Sequence, residues 1–421
     1  MVGSDPGATP AAQQHRGAIA LLRRWGDLDP AANPTELLRD GLESLGFGRA
    51  QLVGASSLLL RGPRTGQLAI TIIGSHDLSG LTPVASSGSL SKAEAVRGPG
   101  VGSRAGGILA ATAGLTGLTQ EVSATVDVLS LGPGDTPAAV ATKDHLGEPD
   151  LILFTDAIAW DPSLPTITLG CRGRLEAEIT VAAPARVHDA AYGGAALNPL
   201  NRLVEMLGQL RGHRGRVGLP GFYERAEPPS REALAEAMSD DWLDVLGASR
   251  PSGSVSGLER ATQWPVVSVL DVHTDAHEAS APRSATAAIA FSLVPHQRPV
   301  EVERTLRAWV ADHTPATLKS SVRVTRSARP LRLERTVPVR ALARALMQVH
   351  GRSPVPVPAG GTIGAGELAF RFGAPVVFGG LIGPGQRHST TDEVLDFAVF
   401  ERAVDVMRHF GRRLGSARPA R

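Results

Sequence analysis

Three largely apolar runs constrain the fold more than any other feature of this sequence. They are QLAITIIG at 67–74, SATVDVLSLG at 123–132 and DLILFTDA at 150–157. Strands that are apolar along their whole length are typical of parallel sheets, in which helices cover both faces. Segments with helical spacing separate the runs, such as GGILAATAGLTGL at 106–118. We therefore predict a largely parallel α/β domain.

The pattern changes near residue 172. RLEAEITVAAP at 174–184 alternates polar and apolar residues, which is typical of an antiparallel strand with one exposed face. The elements that follow come in the order β-α-β-α-β, which favours a small α+β layer with one sheet covered by two helices. After about residue 330 the first pattern resumes. We therefore predict a discontinuous α/β domain, residues 1–172 and 330–421, with a smaller domain, residues 173–329, inserted into it.

Length and composition exclude several classes of protein. The chain has 421 residues, which suits two domains, and its formal net charge of +2 gives no sign of a nucleic-acid surface. No apolar run reaches the roughly 18 residues of a membrane helix, and the N-terminal stretch lacks the pattern of a signal peptide. The single cysteine, Cys171, excludes an intramolecular disulfide and zinc-ribbon spacings. We expect a cytoplasmic protein with neither a nucleic-acid partner nor a membrane partner.

A histidine and an aspartate follow the first apolar run, in the order Ser75, His76, Asp77. His and Asp at the end of a strand suggest a metal site, but adjacent side chains point to opposite faces of a strand. Ser75 and Asp77 therefore share a face, and His76 points away from them. We interpret His76 as a polar residue at the strand end, although a β-bulge would turn it back as a metal ligand.

Five stretches follow one another in an order that is found in a known family. They are CRGRLEAEITVAAPARVHDAAYGGAALNPLNRLVEML, GLPGFY, LERATQWPVVSVLDV, FSLVPHQRPVEVE and RHSTTDE. Together they resemble the dinuclear zinc peptidases and deacylases, which include carnosinases, succinyl-diaminopimelate desuccinylases, acetylornithine deacetylases and aminoacylases. The resemblance extends over nearly the whole chain. It implies a catalytic α/β domain, an inserted ferredoxin-like lid that usually forms a homodimer, and amide hydrolysis by two zinc ions and a carboxylate base.

The resemblance also identifies candidate metal ligands. Asp135, Asp156 and His388 match three ligand positions, and Asp77 matches the aspartate that orients the first histidine. Packing does not readily explain an acidic residue at the end of an apolar strand. We therefore interpret Asp156 as a metal ligand of the site. The residues 133–135, Pro-Gly-Asp, are also a good turn sequence, so a purely structural role for Asp135 stays open.

Other family positions hold residues that cannot perform the family's chemistry. Ser75 occupies the position of the first histidine ligand, Ser103 that of the bridging aspartate, and Gly134 that of the base. A positioned base contributes roughly 10²–10⁴-fold in rate, and a glycine cannot accept a proton. Arg104 would bring a positive charge to the place of the metals. We therefore expect no cofactor, or at most one zinc ion where the family uses two.

The substrate-binding positions are partly retained. Those that match the family are His188 and Asn198 in the lid, and Gly360, Gly361 and Thr362 in a glycine-rich loop. The arginine with which that loop grips a substrate carboxylate is replaced here by Pro358. The clamp for a free peptide C-terminus is therefore missing.

Two functions follow from this pattern. The first is a homologue without a working dinuclear centre, which would form a homodimer through the lid and bind a small peptide or acyl-amino acid. The alternative is a hydrolase of dipeptides or N-acyl amino acids that uses one metal on Asp135, Asp156 and His388, or recruits His76. A different reaction in the same cleft has no positive support in the sequence. We favour the first function because the base, the bridge and the first histidine are missing together.

Overall fold

The structure is a computed structural model of the chain. It describes residues 17–18, 20–21, 34–64, 66–76, 82–84, 95–98, 101–116, 123–156, 164–184, 189–192, 195, 197–212, 215–226, 262–276, 280–357, 364–380 and 393–416. These residues form two compact units. The first unit contains the described residues up to 170 and from 332 onward, and the second contains residues 171–226 and 262–331.

The described residues form strands and helices with the following bounds. The strands are β1 (Gln51–Val53), β2 (Ser57–Leu60), β3 (Leu68–Ser75), β4 (Thr82–Val84), β5 (Ala95–Arg97), β6 (Ala124–Leu131), β7 (Leu151–Phe154), β8 (Thr166–Thr168), β9 (Gly170–Cys171), β10 (Gly173–Ala182), β11 (Val266–Thr274), β12 (Ser284–Leu293), β13 (Lys319–Ala328), β14 (Leu331–Arg332), β15 (Val355–Val357), β16 (Val376–Phe378) and β17 (Val394–Asp396). The α-helices are Pro34–Ser44, Gly107–Thr116, Pro137–Val140, Lys143–Leu146, Pro199–Leu210, Pro299–Asp312, Val337–His350, Ala365–Phe372 and Phe397–Ser416, with a π-helix at Val101–Gly106 and a 3-10 helix at Ala190–Tyr192.

A six-stranded sheet in the order β1-β2-β6-β3-β7-β16 forms the centre of the first unit. β3 pairs in parallel with both β6 and β7, and β7 pairs in parallel with β16. The hairpin β1–β2 adds an antiparallel edge through β6. The predicted mostly parallel α/β sheet is confirmed.

Burial on both faces explains the apolar runs. Every residue of β6 is buried, and so is every residue of the helix Gly107–Thr116. That helix packs against the long helix Phe397–Ser416 at Gly114, where the two backbones come close together: a Cβ added to Gly114 would lie 2.5 Å from Met407 Cβ and 2.7 Å from the carbonyl oxygen of Val404. Only a residue without a side chain permits this contact.

The second unit has the β-α-β-β-α-β order of a ferredoxin-like fold, with an antiparallel sheet in the order β11-β12-β10-β13. β10 alternates strictly between buried and half-buried residues. The order β-α-β-α-β, predicted from residue patterns, omitted β11. This strand is mostly exposed and its register shifts between Val269 and Asp271, so it lacks the regular alternation of the other strands.

None of the helices in the described ranges has the combination of length and hydrophobicity that crossing a bilayer requires.

The close approach at Gly114 predicts opposite effects for two glycine substitutions. We expect Gly114→Ala to lower the free energy of unfolding by about 1–3 kcal/mol, because the added methyl group overlaps backbone atoms of the neighbouring helix. Gly208, in the helix Pro199–Leu210, is exposed, and a Cβ there would meet no described atom within 4 Å. Gly208→Ala should therefore stabilise its helix by about 0.5–1 kcal/mol. Urea unfolding followed by circular dichroism measures both, and a Gly114→Ala protein as stable as the parent would contradict the proposed packing.

Candidate functional site

The carboxyl ends of three parallel strands meet at one edge of the main sheet. Ser75 at the end of β3 lies opposite Leu131 at the end of β6, and Ile73 lies opposite Phe154 at the end of β7. The segments that follow the three strands therefore begin side by side. In open α/β sheets this edge is where ligands bind.

Asp156 is the acidic residue that the fold brings to this edge behind β7. The backbone N–H of Ser75 donates to both carboxylate oxygens, at 2.8 and 2.9 Å, and the Ser75 hydroxyl also donates to the carboxylate. Gly74 makes this approach possible, because a Cβ at that position would lie 3.0 Å from Asp156 Oδ1 and 2.7 Å from Ile108 Cγ1. Residues 74 and 75 thus form a small cradle for the carboxylate.

The electrostatics of Asp156 reflect this environment. Burial raises the pKa of Asp156 to about 6, while the Ser75 hydrogen bonds and the positive charge of Arg104 act in the opposite direction. Arg104 lies in the π-helix Val101–Gly106, directly before the helix Gly107–Thr116. Single π-helical turns inside helices are frequent at functional sites. The guanidinium of Arg104 therefore supplies a cationic charge to the carboxylate at this edge.

His76 is a buried histidine with hydrogen-bond partners on both ring nitrogens. The residue is 2% exposed. Its Nδ1 lies 2.8 Å from Ser130 Oγ, its Nε2 lies 3.2 Å from Thr35 Oγ1, and its backbone N–H donates to the carbonyl of Leu131. Ser130 belongs to β6, whereas Asp156 follows β7, so the imidazole and the carboxylate interact with opposite neighbours of β3. These contacts give His76 a packing role.

Asp135 closes the turn of the hairpin β1–β2. Its carboxylate accepts hydrogen bonds from the N–H groups of Ala55 and Ser56, at 2.9–3.2 Å, and from the Ser57 hydroxyl at 2.7 Å. Burial tends to raise the pKa of Asp135, but the hydrogen bonds from Ser56, Ser57 and Ala55 outweigh it and hold the pKa below its usual value. Gly54 starts the turn at φ 64°, a conformation that favours glycine, and the carboxylate packs directly against it.

Gly134, predicted to stand at the position of the family's base, lies in an exposed turn with φ 84°. A Cβ there would meet no described atom within 4 Å.

Asn198, in the second unit, is the N-cap of the helix Pro199–Leu210: its Oδ1 accepts from the N–H of Leu200 at 2.9 Å and of Asn201 at 3.4 Å. The side-chain oxygen of Asn198 therefore caps the N-terminus of this helix.

Several predicted site residues lie outside the described residues. They are Asp77, His188, Gly360, Gly361, Thr362 and His388. The backbone at Ser103 is described, in the π-helix. Among the residues that the structure describes, no group of three or more His, Cys, Asp or Glu side chains is placed to hold a metal ion. Asp135 and Asp156 both have protein donors on their carboxylates.

The hydrogen-bond partners of Asp135 and Asp156 were not predicted from the sequence. Ser75 and Asp156 are 81 residues apart, and Asp135 is 80 residues from Ala55. The available signal was local: a glycine precedes Ser75, and the stretch Gly-Ala-Ser-Ser at 54–57 is rich in turn residues and in hydrogen-bond donors.

A comparison with known protein families found a match in the middle part of the chain. Residues 169–317 match the peptidase dimerisation domain of the M20 peptidases. Over these residues the chain is similar to the M20 peptidases. The match contains the whole of β10, β11 and β12, and both helices that cover their sheet.

Solved structures of several peptidases have a similar fold along nearly the whole chain. An M20 family metallo-carboxypeptidase of Sulfolobus solfataricus has a TM-score of 0.77 at 18% identity, covering 96% of this chain and 99% of its own. The dipeptidase Dug1p of Saccharomyces cerevisiae has a TM-score of 0.73 at 14% identity, covering 97% of this chain and 98% of its own. Human carnosine dipeptidase 1 has a TM-score of 0.70 at 16% identity, covering 96% and 98%. At these identities the likeness concerns the fold alone.

A curated relative is similar in sequence over a shorter length. It is the probable di- and tripeptidase DUG2 of Saccharomyces cerevisiae, 24% identical over 231 residues, which are 52% of this chain and 26% of the relative. The match thus spans about a quarter of the length of that relative.

The hairpin role of Asp135 predicts a pH-dependent stability effect. We expect Asp135→Asn to lower the free energy of unfolding by about 1–3 kcal/mol at neutral pH, because charged hydrogen bonds to the turn are lost. Since the folded-state pKa is below the usual value, the contribution is complete above that value and disappears as the pH falls through the folded-state pKa. The difference between the two proteins should therefore shrink below about pH 4.

Urea unfolding in the presence of a chelator, across pH 3–7, measures this difference without any contribution from metals. Glu148→Gln, on an exposed side chain, is the control and should change stability little. Equal stability of the parent and Asp135→Asn at pH 7 would contradict the hairpin role.

Proposed function

We propose that this chain is a member of the M20 metallopeptidase family and a non-hydrolytic binding protein. In this proposal it keeps the peptidase scaffold and lid, does not assemble the dinuclear zinc centre, and holds a small peptide or an N-acyl amino acid in the cleft at the sheet edge. The proposal is supported by the contacts of the candidate ligands and by the residues that replace the remaining ones.

The observation that carries the proposal is the hydrogen bonding of Asp156 to Ser75. The N–H and the O–H of Ser75 donate to the two oxygens of this carboxylate, and they occupy lone pairs that a metal ligand would direct at the cation. The positive charge of Arg104 acts on the same carboxylate and would repel a second cation. The residues at this edge thus fit a site in which protein donors take the place of metal ions.

The residue predicted at the position of the base also has no group that could accept the proton of an attacking water molecule. In the family a carboxylate accepts the proton of the attacking water, and at this position the chain has Gly134 in an exposed turn. The neighbouring Asp135 is engaged by three donors of the hairpin. We derive no hydrolytic step from these residues. Binding, in contrast, needs only the cleft and its polar groups.

Hydrolysis and ligand binding, measured on the same panel of dipeptides and N-acyl amino acids, test this proposal. We expect no turnover above the uncatalysed rate with or without added zinc, together with a higher thermal unfolding temperature in the presence of at least one compound. Zinc-stimulated turnover that Asp156→Ala abolishes would overturn the proposal in favour of the alternative hydrolase. A panel in which no compound shifts the unfolding temperature would overturn the binding role.

We also propose that the second unit mediates homodimerisation through β11. This edge strand exposes Val269, Leu270 and Val272, with 40%, 53% and 40% of their surface accessible. The opposite edge strand, β13, has the exposed charges of Lys319, Arg323 and Arg326 instead. Charged side chains on an edge oppose strand pairing, and an apolar edge favours it. A copy of β11 related by a two-fold axis would bury these apolar residues and extend the sheet.

The β11 interface predicts a change in oligomeric state. The variant Leu270→Lys/Val272→Lys should elute as a monomer, because two like charges per chain would face each other across the two-fold axis. The matched control, Thr325→Lys/Ser327→Lys, puts the same charges on exposed positions of β13 and should stay dimeric. Size-exclusion chromatography with light scattering measures the mass. A monomeric parent, or a dimeric β11 variant, would contradict the interface.

A further inference from the structure

An open apolar groove lies on the first unit between the helix Val337–His350 and the strands β8 and β15, away from Asp156 and the site edge that it marks. Its volume is about 320 Å³, and its lining is mostly apolar. One wall is a row of helix residues, Val339, Ala343 and Met347, spaced four apart. A row of this kind follows one face of the helix for about 12 Å, or two turns.

The opposite wall is formed by prolines. Pro354 and Pro356 line the groove, and Pro356 belongs to β15, which pairs with β8 alone in its two-stranded sheet. Proline has a fixed φ angle, so this wall is stiff as well as apolar. Met347, on the helix side, has 45% of its surface exposed. Exposed methionines are common at surfaces that accept varied apolar side chains. The groove thus has one rigid wall and one adaptable wall.

Three arginines surround the groove, and no acidic residue lines it. Arg335, Arg340 and Arg344 are all exposed lining residues. Within the described part of the chain none of the three makes an ion pair. Arg340 is oriented by a hydrogen bond from its guanidinium to the carbonyl oxygen of Arg335. The helix Val337–His350 contains no Asp or Glu at all.

This arrangement is unfavourable for the isolated chain. Arg340 and Arg344 are four residues apart on one helix face, and like charges at this spacing destabilise a helix. An acidic residue at an adjacent position would relieve the repulsion, but the sequence supplies none within the helix. A ligand with carboxylates beside an apolar stripe would both neutralise the arginines and fill the groove.

We propose that this groove docks an acidic amphipathic helix of a partner protein, whose apolar side chains contact Ala343 and Met347 above the buried Val339 and whose carboxylates pair with Arg335, Arg340 and Arg344. The concave shape favours a helix over a lipid surface, because a bilayer binds to protruding residues. The length of the apolar row corresponds to two turns of the docked helix.

Fluorescence anisotropy with a labelled synthetic peptide, GELLEELLEELLEG, and the full chain tests the proposal. The parent should bind this peptide, and added salt should weaken binding because the contacts are partly ionic. The lysine counterpart, GKLLKKLLKKLLKG, should not bind. We expect Arg344→Glu and Ala343→Gln to weaken binding about tenfold or more, by charge repulsion and by filling the groove respectively. Arg326→Glu, on the exposed face of β13 in the other unit, is the matched control and should leave binding unchanged.

Circular dichroism of each variant establishes that it is folded before binding is measured. The proposal is overturned if the acidic peptide does not bind, if the lysine peptide binds equally well, or if Arg344→Glu has no effect. Vesicles of phosphatidylserine and phosphatidylcholine form a separate arm. If the chain bound these vesicles but not the peptide, and Arg344→Glu abolished vesicle binding, the groove would be a membrane contact and the proposal would be wrong.

Discussion

The parallel pairing of β3 with both of its neighbours determines where Ser75, His76 and Asp156 lie. Because β6, β3 and β7 run in the same direction, the segments behind them begin at one edge of the sheet. Ser75 and Asp156 therefore meet although 81 residues separate them in the chain. His76, one residue further along, faces β6 and becomes part of the packing there. A shift of one residue in this register would exchange the two roles.

The residues that differ from the family pattern fit one another as a set. Ser75, at the position predicted for the family's first histidine, donates hydrogen bonds to Asp156, and the positive charge of Arg104 acts to lower the pKa of the same carboxylate. Asp135, beside Gly134 at the position predicted for the base, stabilises a hairpin turn. Each substitution thus has a structural consequence that does not depend on a metal. Together they support a scaffold in which hydrogen bonds and a guanidinium stabilise the edge of the sheet.

Much of the fold could be predicted from the sequence, because burial is directly visible in residue patterns. The apolar runs of β3, β6 and β7 indicated a two-sided sheet, and the alternation in β10 indicated a sheet with one covered face. The hairpin β1–β2 was not predicted, since a carboxylate from a distant part of the chain stabilises its turn. The predicted element order left out β11, because its exposed residues and its bulge give it no regular pattern.

The candidate site was less predictable than the fold. The sequence identifies Asp156 and shows that Ser103 and Gly134 are not carboxylates. It does not show which groups donate hydrogen bonds to Asp135 and Asp156. Those partners are set by strand register and by loop geometry, which depend on contacts between distant residues. In contrast, the sequence itself shows that the helix Val337–His350 contains two arginines, Arg340 and Arg344, and no acidic residue that could pair with them within the helix.

The central claim is that protein donors, and not a pair of cations, stabilise the carboxylate at the end of β7. Anomalous diffraction at the zinc absorption edge, from crystals soaked with excess zinc, tests it most directly. The account predicts no pair of zinc peaks beside Asp156 and an intact hydrogen bond from Ser75 to its carboxylate. Two zinc peaks roughly 3.5–4 Å apart, with Asp156 coordinated to one of them, would contradict it.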